Sequence, residues 1–356
     1  MRSVAEAAAI TEAWDFTPPA PRRAAIMSVA AELPAGRITN AELAERFGVS
    51  EDWIMSRTGI RERAHAADDE RLSDYATRVA AKALKRARVA PSDVELVVVA
   101  TTTPDELQPN VAPIVADALG TPGAGAFDVG SGCTGFLSAL AMVTAQIETR
   151  RVERAVVVGA DFITRINNYD DRRIGPLFAD GAGAVVVGPA EAPSLGARSN
   201  DVPQLRNTEV QGQSPGVIGP IVLGSDGSQA MTILVRNDER LIHMDGPEVF
   251  RHAVNRMSEV TLAALERARL ALDDIDLFVY HQANARITRS LGERLSLPPE
   301  KVVDVIENFG NSSTATLPIG LESAIDDGRL RPGALVLLSA FGSGFTWGAG
   351  VVRWGS

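Results

Sequence analysis

The stretch A-F-D-V-G-S-G-C-T-G-F (126–136) decides the reading of this chain, because it has a second, later echo in V-V-D-V-I-E-N-F-G-N-S-S (302–313). In each, a short apolar strand runs into a glycine turn and then into a helix that is apolar almost all round: T-G-F-L-S-A-L-A-M-V-T-A, expected from Thr134 to about Ile147, and S-T-A-T-L-P-I-G-L, expected from about Ser313 to Ile325. Helices with no polar face lie between layers rather than on a surface. The flanking segments match as well. A helix ending near Arg88 leads through an acidic turn to L-V-V-V-A (96–100), and one ending near Leu270 leads through another to L-F-V-Y (277–280). Continuous apolar runs of this length read as strands covered on both faces. A-V-V-V-G-A (155–160) pairs with A-L-V-L-L-S-A (334–340), and A-D-G-A-G-A-V-V-V-G (179–188) with F-T-W-G-A-G-V-V-R-W (345–354).

Three units repeated in the same order imply two similar α/β halves about a pseudo-two-fold axis, with two sheets enclosing a helical layer. Residues 1–22, with Pro18, Pro19 and Pro21, read as an extension. Residues 23–200 form the first half and 201–356 the second, joined by a Pro-, Gly-, Ser- and Gln-rich connection from about 190 to 220.

The bulk composition bounds the function. The 356 residues are 45% hydrophobic, enough for a large core, and the formal net charge of −10 argues against nucleic acid and anionic membranes. No apolar run is long enough to span a bilayer, and no basic-then-apolar leader opens the chain, so a soluble, cytoplasmic protein is expected. The positive charge is nearly all arginine; the only lysines are Lys82, Lys85 and Lys301. A single cysteine excludes an intrachain disulfide, and the histidines 65, 243, 252 and 281 have no metal-ligand spacing, so no metal is expected. The G-x-G spacings near Gly130 and Gly181 open no dinucleotide-binding unit, so no NAD is expected either.

A lone cysteine is usually a small hydrophobe. Cys133, however, sits where a buried strand turns into a helix, and a helix N-terminus lowers a thiol pKa. His281 ends the matching strand of the second half, and Asn311 holds nearly the place of Cys133 in the repeat. Ligands gather at the C-terminal ends of such strands, so the pseudo-symmetry brings Cys133, His281 and Asn311 together.

With W-I-M-S-R-T-G-I-R-E-R (53–63), M-D-G-P-E-V-F (244–250), H-Q-A-N (281–284), F-G-N-S-S (309–313) and F-G-S-G-F-T-W-G (341–348), the chain resembles β-ketoacyl-acyl carrier protein synthase III of the thiolase-like condensing superfamily, from about residue 24 to 354. The resemblance implies a five-layered α-β-α-β-α sandwich and a homodimer. It implies decarboxylative condensation of an acyl-CoA starter with malonyl-acyl carrier protein, initiating fatty-acid or polyketide synthesis, with no cofactor beyond these substrates. Cys133 would carry the acyl group, and His281 and Asn311 would donate hydrogen bonds to the malonyl thioester carbonyl as its enolate forms. The N–H groups of Cys133 and of the Gly342–Ser343–Gly344 loop would form an oxyanion hole, with Phe341 shielding the sulfur. Trp53 and Arg165 would sandwich the adenine of coenzyme A, Arg57 would meet phosphate, and Asn284 would line the pantetheine channel. Arg251 and Arg286 would dock the acidic carrier protein.

The chain departs from the family pattern at Thr134, commonly Ala, and at Ser343, often Gly. In T-T-T-P-D-E-L-Q-P-N (101–110), acetyl-preferring members carry a Phe that reaches the partner subunit's acyl pocket; here Gln108 stands there with Leu107 beside it, which implies a starter other than acetyl. A thiolase would need a second cysteine, which is missing. A silent carrier-protein-binding subunit would have lost Cys133. A non-decarboxylating acyltransferase that moves the acyl group to a small-molecule nucleophile is the alternative activity.

Overall fold

The computed structural model describes residues 22–190 and 216–355; the expected extension, the end of the first half and most of the connection lie outside them. In the first part the order is β1 (Ala24–Glu32), β2 (Gly36–Thr39), α1 (Asn40–Phe47), α2 (Glu51–Thr58), β3 (Glu62–His65), α3 (Leu72–Ala87), β4 (Leu96–Ala100), α4 (Val111–Leu119), β5 (Gly125–Val129), α5 (Gly135–Glu148), β6 (Ala155–Phe162) and β7 (Asp180–Pro189). In the second it is β8 (Val217–Ser225), β9 (Ile233–Val235), β10 (Ile242–Met244), α6 (Gly246–Ala268), β11 (Leu277–Tyr280), α7 (Ala285–Leu295), β12 (Val302–Val303), α8 (Ile306–Phe309), α9 (Thr316–Asp326), β13 (Leu335–Gly342) and β14 (Thr346–Arg353).

Two five-stranded sheets share one plan. The first has the order β5-β4-β6-β7-β1 and the second β12-β11-β13-β14-β8. In each, the first three strands are parallel and the last two antiparallel. β8 begins at Val217, inside the stretch read as connection. Gly219 and Pro220 break its apolar pattern, and a proline is tolerated because β8 is an edge strand.

Strand alternation sorts the layers. Leu96, Val98 and Ala100 of β4 face the central helices, in one core with Phe136, Leu140 and Val143 of α5, Leu317 and Leu321 of α9, and Val279 and Leu338 of the second sheet. Val97 and Val99 face outward onto Leu72, Val79 and Ala83 of α3 and Val115 of α4. On the far side Phe278 and Leu337 meet Met257 and Leu265 of α6 and Leu291 of α7. The layers are therefore α-β-α-β-α. Both central helices start after a short 3₁₀ turn, over Gly132–Thr134 and Ser313–Ala315, slightly later than the sequence pattern placed them.

The approach of α9 to the first sheet needs a bare backbone. A Cβ on Gly159 of β6 would lie 2.4 Å from the Thr314 carbonyl oxygen. Beside it, the fully buried Asp161 accepts from the hydroxyls of Thr101, Thr102 and Thr103 and from the Thr102 N–H on one oxygen. Its other oxygen accepts from the Thr314 N–H and hydroxyl, at 3.1 and 2.8 Å. One carboxylate thus ties the ends of β4 and β6 to the turn that opens α9, and this seam is the floor of the site.

Candidate active site

A cavity of about 1170 Å³ opens over that seam, and Cys133, His281, Asn311, Ser313, Phe341 and Ser343 all line it. Cys133 sits in the 3₁₀ turn between β5 and α5, after Gly132 with φ 51°. The strand end of β13 comes against it: a Cβ on Gly342 would lie 2.7 Å from the Cys133 nitrogen and 2.9 Å from its Cβ. Only glycine at 342 lets the loop carrying Ser343 run alongside the nucleophile. Thr134 donates its hydroxyl to the Ser131 carbonyl at 2.7 Å and meets the Thr346 hydroxyl at 2.7 Å, clamping the turn to β14.

His281 and Asn311 are 2% and 4% exposed, so each must find its polar partners inside the protein. The Asn311 backbone bridges to the segment before β7: its N–H donates to the Leu177 carbonyl and its carbonyl accepts from the Ala179 N–H. Its side-chain oxygen accepts from the Ser313 N–H at 2.9 Å, which leaves the amide NH₂ free to point elsewhere. His281 Nδ1 lies 2.6 Å from the Thr316 hydroxyl. Ser313, in the left-handed region at φ 52°, donates its hydroxyl to Cys133 Sγ at 3.6 Å. Ser313 therefore touches the nucleophile and Asn311 at once, and neither it nor Thr316 stands out in the sequence, where both read as turn and cap residues.

The electrostatics reverse one expectation. Burial pushes the Cys133 thiol up to about 11, the Ser313 hydroxyl bond works against this, and the neighbouring Asp161 carboxylate adds to it. The direction is opposite to the acidification foreseen from a helix N-terminus, because desolvation and the buried Asp161 carboxylate both disfavour the thiolate. Burial likewise holds His281 down at about 3, so the ring is neutral through the physiological range.

At the cavity mouth, the Arg57 and Arg172 guanidiniums lie over the Trp53 ring, 4.2 and 5.6 Å from its centre. Arg165, expected opposite Trp53, is not there. Its guanidinium donates to the Glu70 carbonyl, lies 3.5 Å from Asp105 and covers Phe162 at 4.7 Å, and it does not line the cavity. Besides Arg57, the arginine beside Trp53 is Arg172, in an irregular loop where no periodicity fixes which arginine faces inward. Asn284 caps α7, accepting from the Arg286 N–H at 2.9 Å, and donates to the Arg57 carbonyl at 3.0 Å. Arg286 lines the mouth beside Phe250; Arg251 is exposed and engaged by Glu248 at 2.5 Å. Phe341 packs edge-on to Phe345 at 5.1 Å. Leu107 borders the cavity yet is 83% exposed, whereas Gln108 does not line it and donates to Asn110. Among the described residues no group of three or more His, Cys, Asp or Glu could hold a metal, and no helix is long and apolar enough to cross a membrane.

Family models for 3-oxoacyl-[acyl-carrier-protein] synthase III match residues 127–201, and for its C-terminal part residues 265–354. The β-ketoacyl-[acyl-carrier-protein] synthase III of Listeria monocytogenes serotype 1/2a (strain 10403S) is 40% identical over 332 residues, covering 93% of this chain and 99% of that protein. This chain belongs to the synthase III family. The family extends to Erythrobacter litoralis (strain HTCC2594), whose β-ketoacyl-[acyl-carrier-protein] synthase III is 40% identical over 338 residues, 93% of this chain and 99% of that one. Among solved structures, the synthase III of Aquifex aeolicus VF5 superposes with a TM-score of 0.83 at 34% identity, covering 93% of this chain and all of that one. The priming β-ketosynthase of the R1128 polyketide pathway gives 0.84 at 31% identity, covering 96% and 99%. The Aquifex synthase III and a polyketide priming enzyme thus share this fold over nearly the whole chain.

Proposed function

We propose that this protein condenses an acyl-CoA starter with malonyl-acyl carrier protein, losing carbon dioxide and giving a 3-oxoacyl-acyl carrier protein that begins a fatty-acid or polyketide chain. The observation that carries the reading is the meeting of Cys133 from the turn after β5, His281 from the end of β11 and Asn311 from the turn after α8, in one cavity with an arginine-flanked tryptophan at its mouth.

As an acyltransferase, the protein would first move the acyl group to its own sulfur. Cys133 Sγ loses its proton and bonds to the thioester carbonyl carbon. The oxyanion receives the Cys133 and Ser343 N–H groups, and the carbon–sulfur bond to coenzyme A breaks, its sulfur taking up a proton. In the second step the carbon–carbon bond to the malonyl carboxylate breaks, and its electron pair becomes an enolate. The Asn311 NH₂, whose partner oxygen accepts from the Ser313 N–H, would donate to the enolate oxygen. The enolate carbon attacks the acyl carbon and expels the Cys133 thiolate, which takes up a proton from solvent.

Trp53, Arg57 and Arg172 would hold the adenine and phosphates of coenzyme A by stacking and charge, with Asn284 along the arm, and Arg251 and Arg286 would meet the carrier protein. The exposed Leu107 supports a homodimer in which the 104–110 arm is covered by a second copy, and the Leu107–Gln108 pair supports a starter other than acetyl. No cofactor beyond the substrates is called for, and the protein would act in the cytoplasm. Intact-protein mass spectrometry with a panel of acyl-CoAs tests the reading. An adduct lost in Cys133→Ala is expected, followed by a 3-oxoacyl product when malonyl-acyl carrier protein is added. Transfer of the adduct to an amine or hydroxyl, with no ketoacyl product, would overturn it.

A further inference from the structure

Gly132 and Ser343 meet where the turn that carries the nucleophile touches the end of β13. A Cβ on Gly132 would lie 2.2 Å from Ser343 Oγ and 3.1 Å from the Ser343 nitrogen. The Ser343 side chain therefore fills the room that a larger residue at 132 would need, one position before Cys133. Its nitrogen and its hydroxyl oxygen face that turn together. The Ser343 carbonyl is engaged elsewhere, 3.1 Å from the Thr346 hydroxyl, which itself lies 2.7 Å from that of Thr134. The two turns are thus joined behind the site by groups other than the Ser343 hydroxyl. That hydroxyl has no hydrogen-bond partner among the described residues, and Ser343 is half-buried in the wall of the cavity that holds Cys133. A hydroxyl has one proton to donate, and here it is uncommitted to the protein.

We propose that the Ser343 hydroxyl is a catalytic residue, a third donor to the oxyanion beside the N–H groups of Cys133 and Ser343. This rests on the acyl transfer proposed above. As Cys133 Sγ bonds to the thioester carbon, the carbonyl π pair moves onto oxygen. The hydroxyl donates a hydrogen bond to that oxygen and keeps its proton. The pair returns to the carbonyl when the carbon–sulfur bond to coenzyme A breaks, so the serine ends as it began. The same oxygen becomes negative again when the enolate attacks acyl-Cys133, and the same donor serves it. A bond from a hydroxyl to an anionic oxygen is roughly twice as strong as one to a neutral carbonyl. The gain is therefore concentrated in the transition states, where it raises the rate. A glycine at 343, as the family often has, would supply the N–H alone.

Two reactions of Cys133 in the full-length protein separate this role from a structural one. Acylation, by p-nitrophenyl acetate or by an acyl-CoA, passes through an oxyanion. Alkylation by iodoacetamide displaces iodide at a methylene carbon and forms none. Both are timed by intact mass. In Ser343→Ala and in Ser343→Gly the acylation rate constant should fall about tenfold, a smaller loss than for a principal donor because both N–H groups remain. Alkylation should stay within about twofold of the wild type. Alanine keeps the Cβ and glycine is the residue common in relatives, so the two variants disturb the loop in different ways and either one decides. Unchanged acylation in a folded variant, or an equal loss in both reactions, overturns the proposal. The two readings fail separately. Acylation by the ester but by no acyl-CoA refutes the function alone, and equal ester rates in wild type and variants refute the third donor alone. A wild type that takes an acyl group from neither reagent overturns both.

Discussion

Ser313→Ala removes one hydrogen bond to the nucleophile and little else. The Ser313 hydroxyl donates to Cys133 Sγ at 3.6 Å, while the N–H that holds Asn311 and the carbonyl that holds Thr316 belong to the backbone and stay. A negatively charged sulfur gains more from the bond than a neutral thiol does. A net contribution of about 1 kcal/mol, at about 1.36 kcal/mol per pH unit, corresponds to about 0.7 of a pH unit, or roughly fivefold less thiolate. Burial already sets the wild-type thiol at about 11, so between pH 7 and 9.5 both proteins lie on the rising limb. Alkylation by iodoacetamide, followed by intact mass under pseudo-first-order conditions, reports the thiolate fraction, and Cys133 is the sole cysteine in the sequence. The expected result is two parallel lines, each rising about tenfold per pH unit, with Ser313→Ala about fivefold lower. A wild-type plateau below pH 9 would refute the reasoning, because it would mean that the helix terminus prevails over burial. So would a Ser313→Ala line at or above the wild type.

Three further outcomes follow from the geometry. The His281 ring is held down at about 3 in the folded protein against about 6.5 unfolded, so its stabilising effect is whole above pH 6.5 and is lost as pH falls towards 3. Urea denaturation should find the wild type about 2 kcal/mol more sensitive than His281→Asn to a shift from pH 7.5 to 5; equal sensitivity would contradict the buried neutral ring. Gly342→Ala should cut acylation of Cys133 about a hundredfold while the melting temperature stays within a few degrees, since the new Cβ presses on the nucleophile's backbone at 2.7 Å; near-normal acylation would show that the contact relaxes away. Arg172→Ala should raise the KM for acyl-CoA about tenfold with kcat within about twofold, and Arg165→Ala should leave KM nearly unchanged; the reverse pattern in steady-state kinetics would restore Arg165 to the adenine site.

The layered fold was legible because glycine turns and apolar strands recur in order, and that order also marked Cys133, His281 and Asn311. A repeat identifies positions on a backbone. It carries no information about the long side chains of an irregular loop, which is why Arg165 was expected to sandwich the adenine with Trp53, whereas Arg172 is the one that lines the cavity by that ring. The thiol pKa failed for a related reason. The chain shows that Cys133 precedes a helix, but the depth of its burial and the approach of Asp161 are properties of the closed structure. Thr316, Ser313 and Thr314 carry short hydroxyls at the start of a helix, where such residues ordinarily cap or fill. Their contacts to His281, Cys133 and Asp161 span 35, 180 and 153 positions of sequence, beyond any local pattern. The strand β8 was obscured by its own Gly219 and Pro220.

The carboxylate of Asp161 has a consequence for how the molecule comes together. Its first oxygen finds its donors within the first sheet, but its second has none until Thr314 arrives from the other end of the chain. A buried acceptor left bare costs about 1–3 kcal/mol, more if charged. An isolated first sheet would bear that penalty at its centre, beside an apolar face with no helix α9 to cover it. The duplicated plan is therefore not two modules that fold and then dock. The closing of the seam completes the core and seats Asn311, Ser313 and Thr316 around the sulfur in one event, so a chain cut between its sheets should regain order only when both pieces are present together.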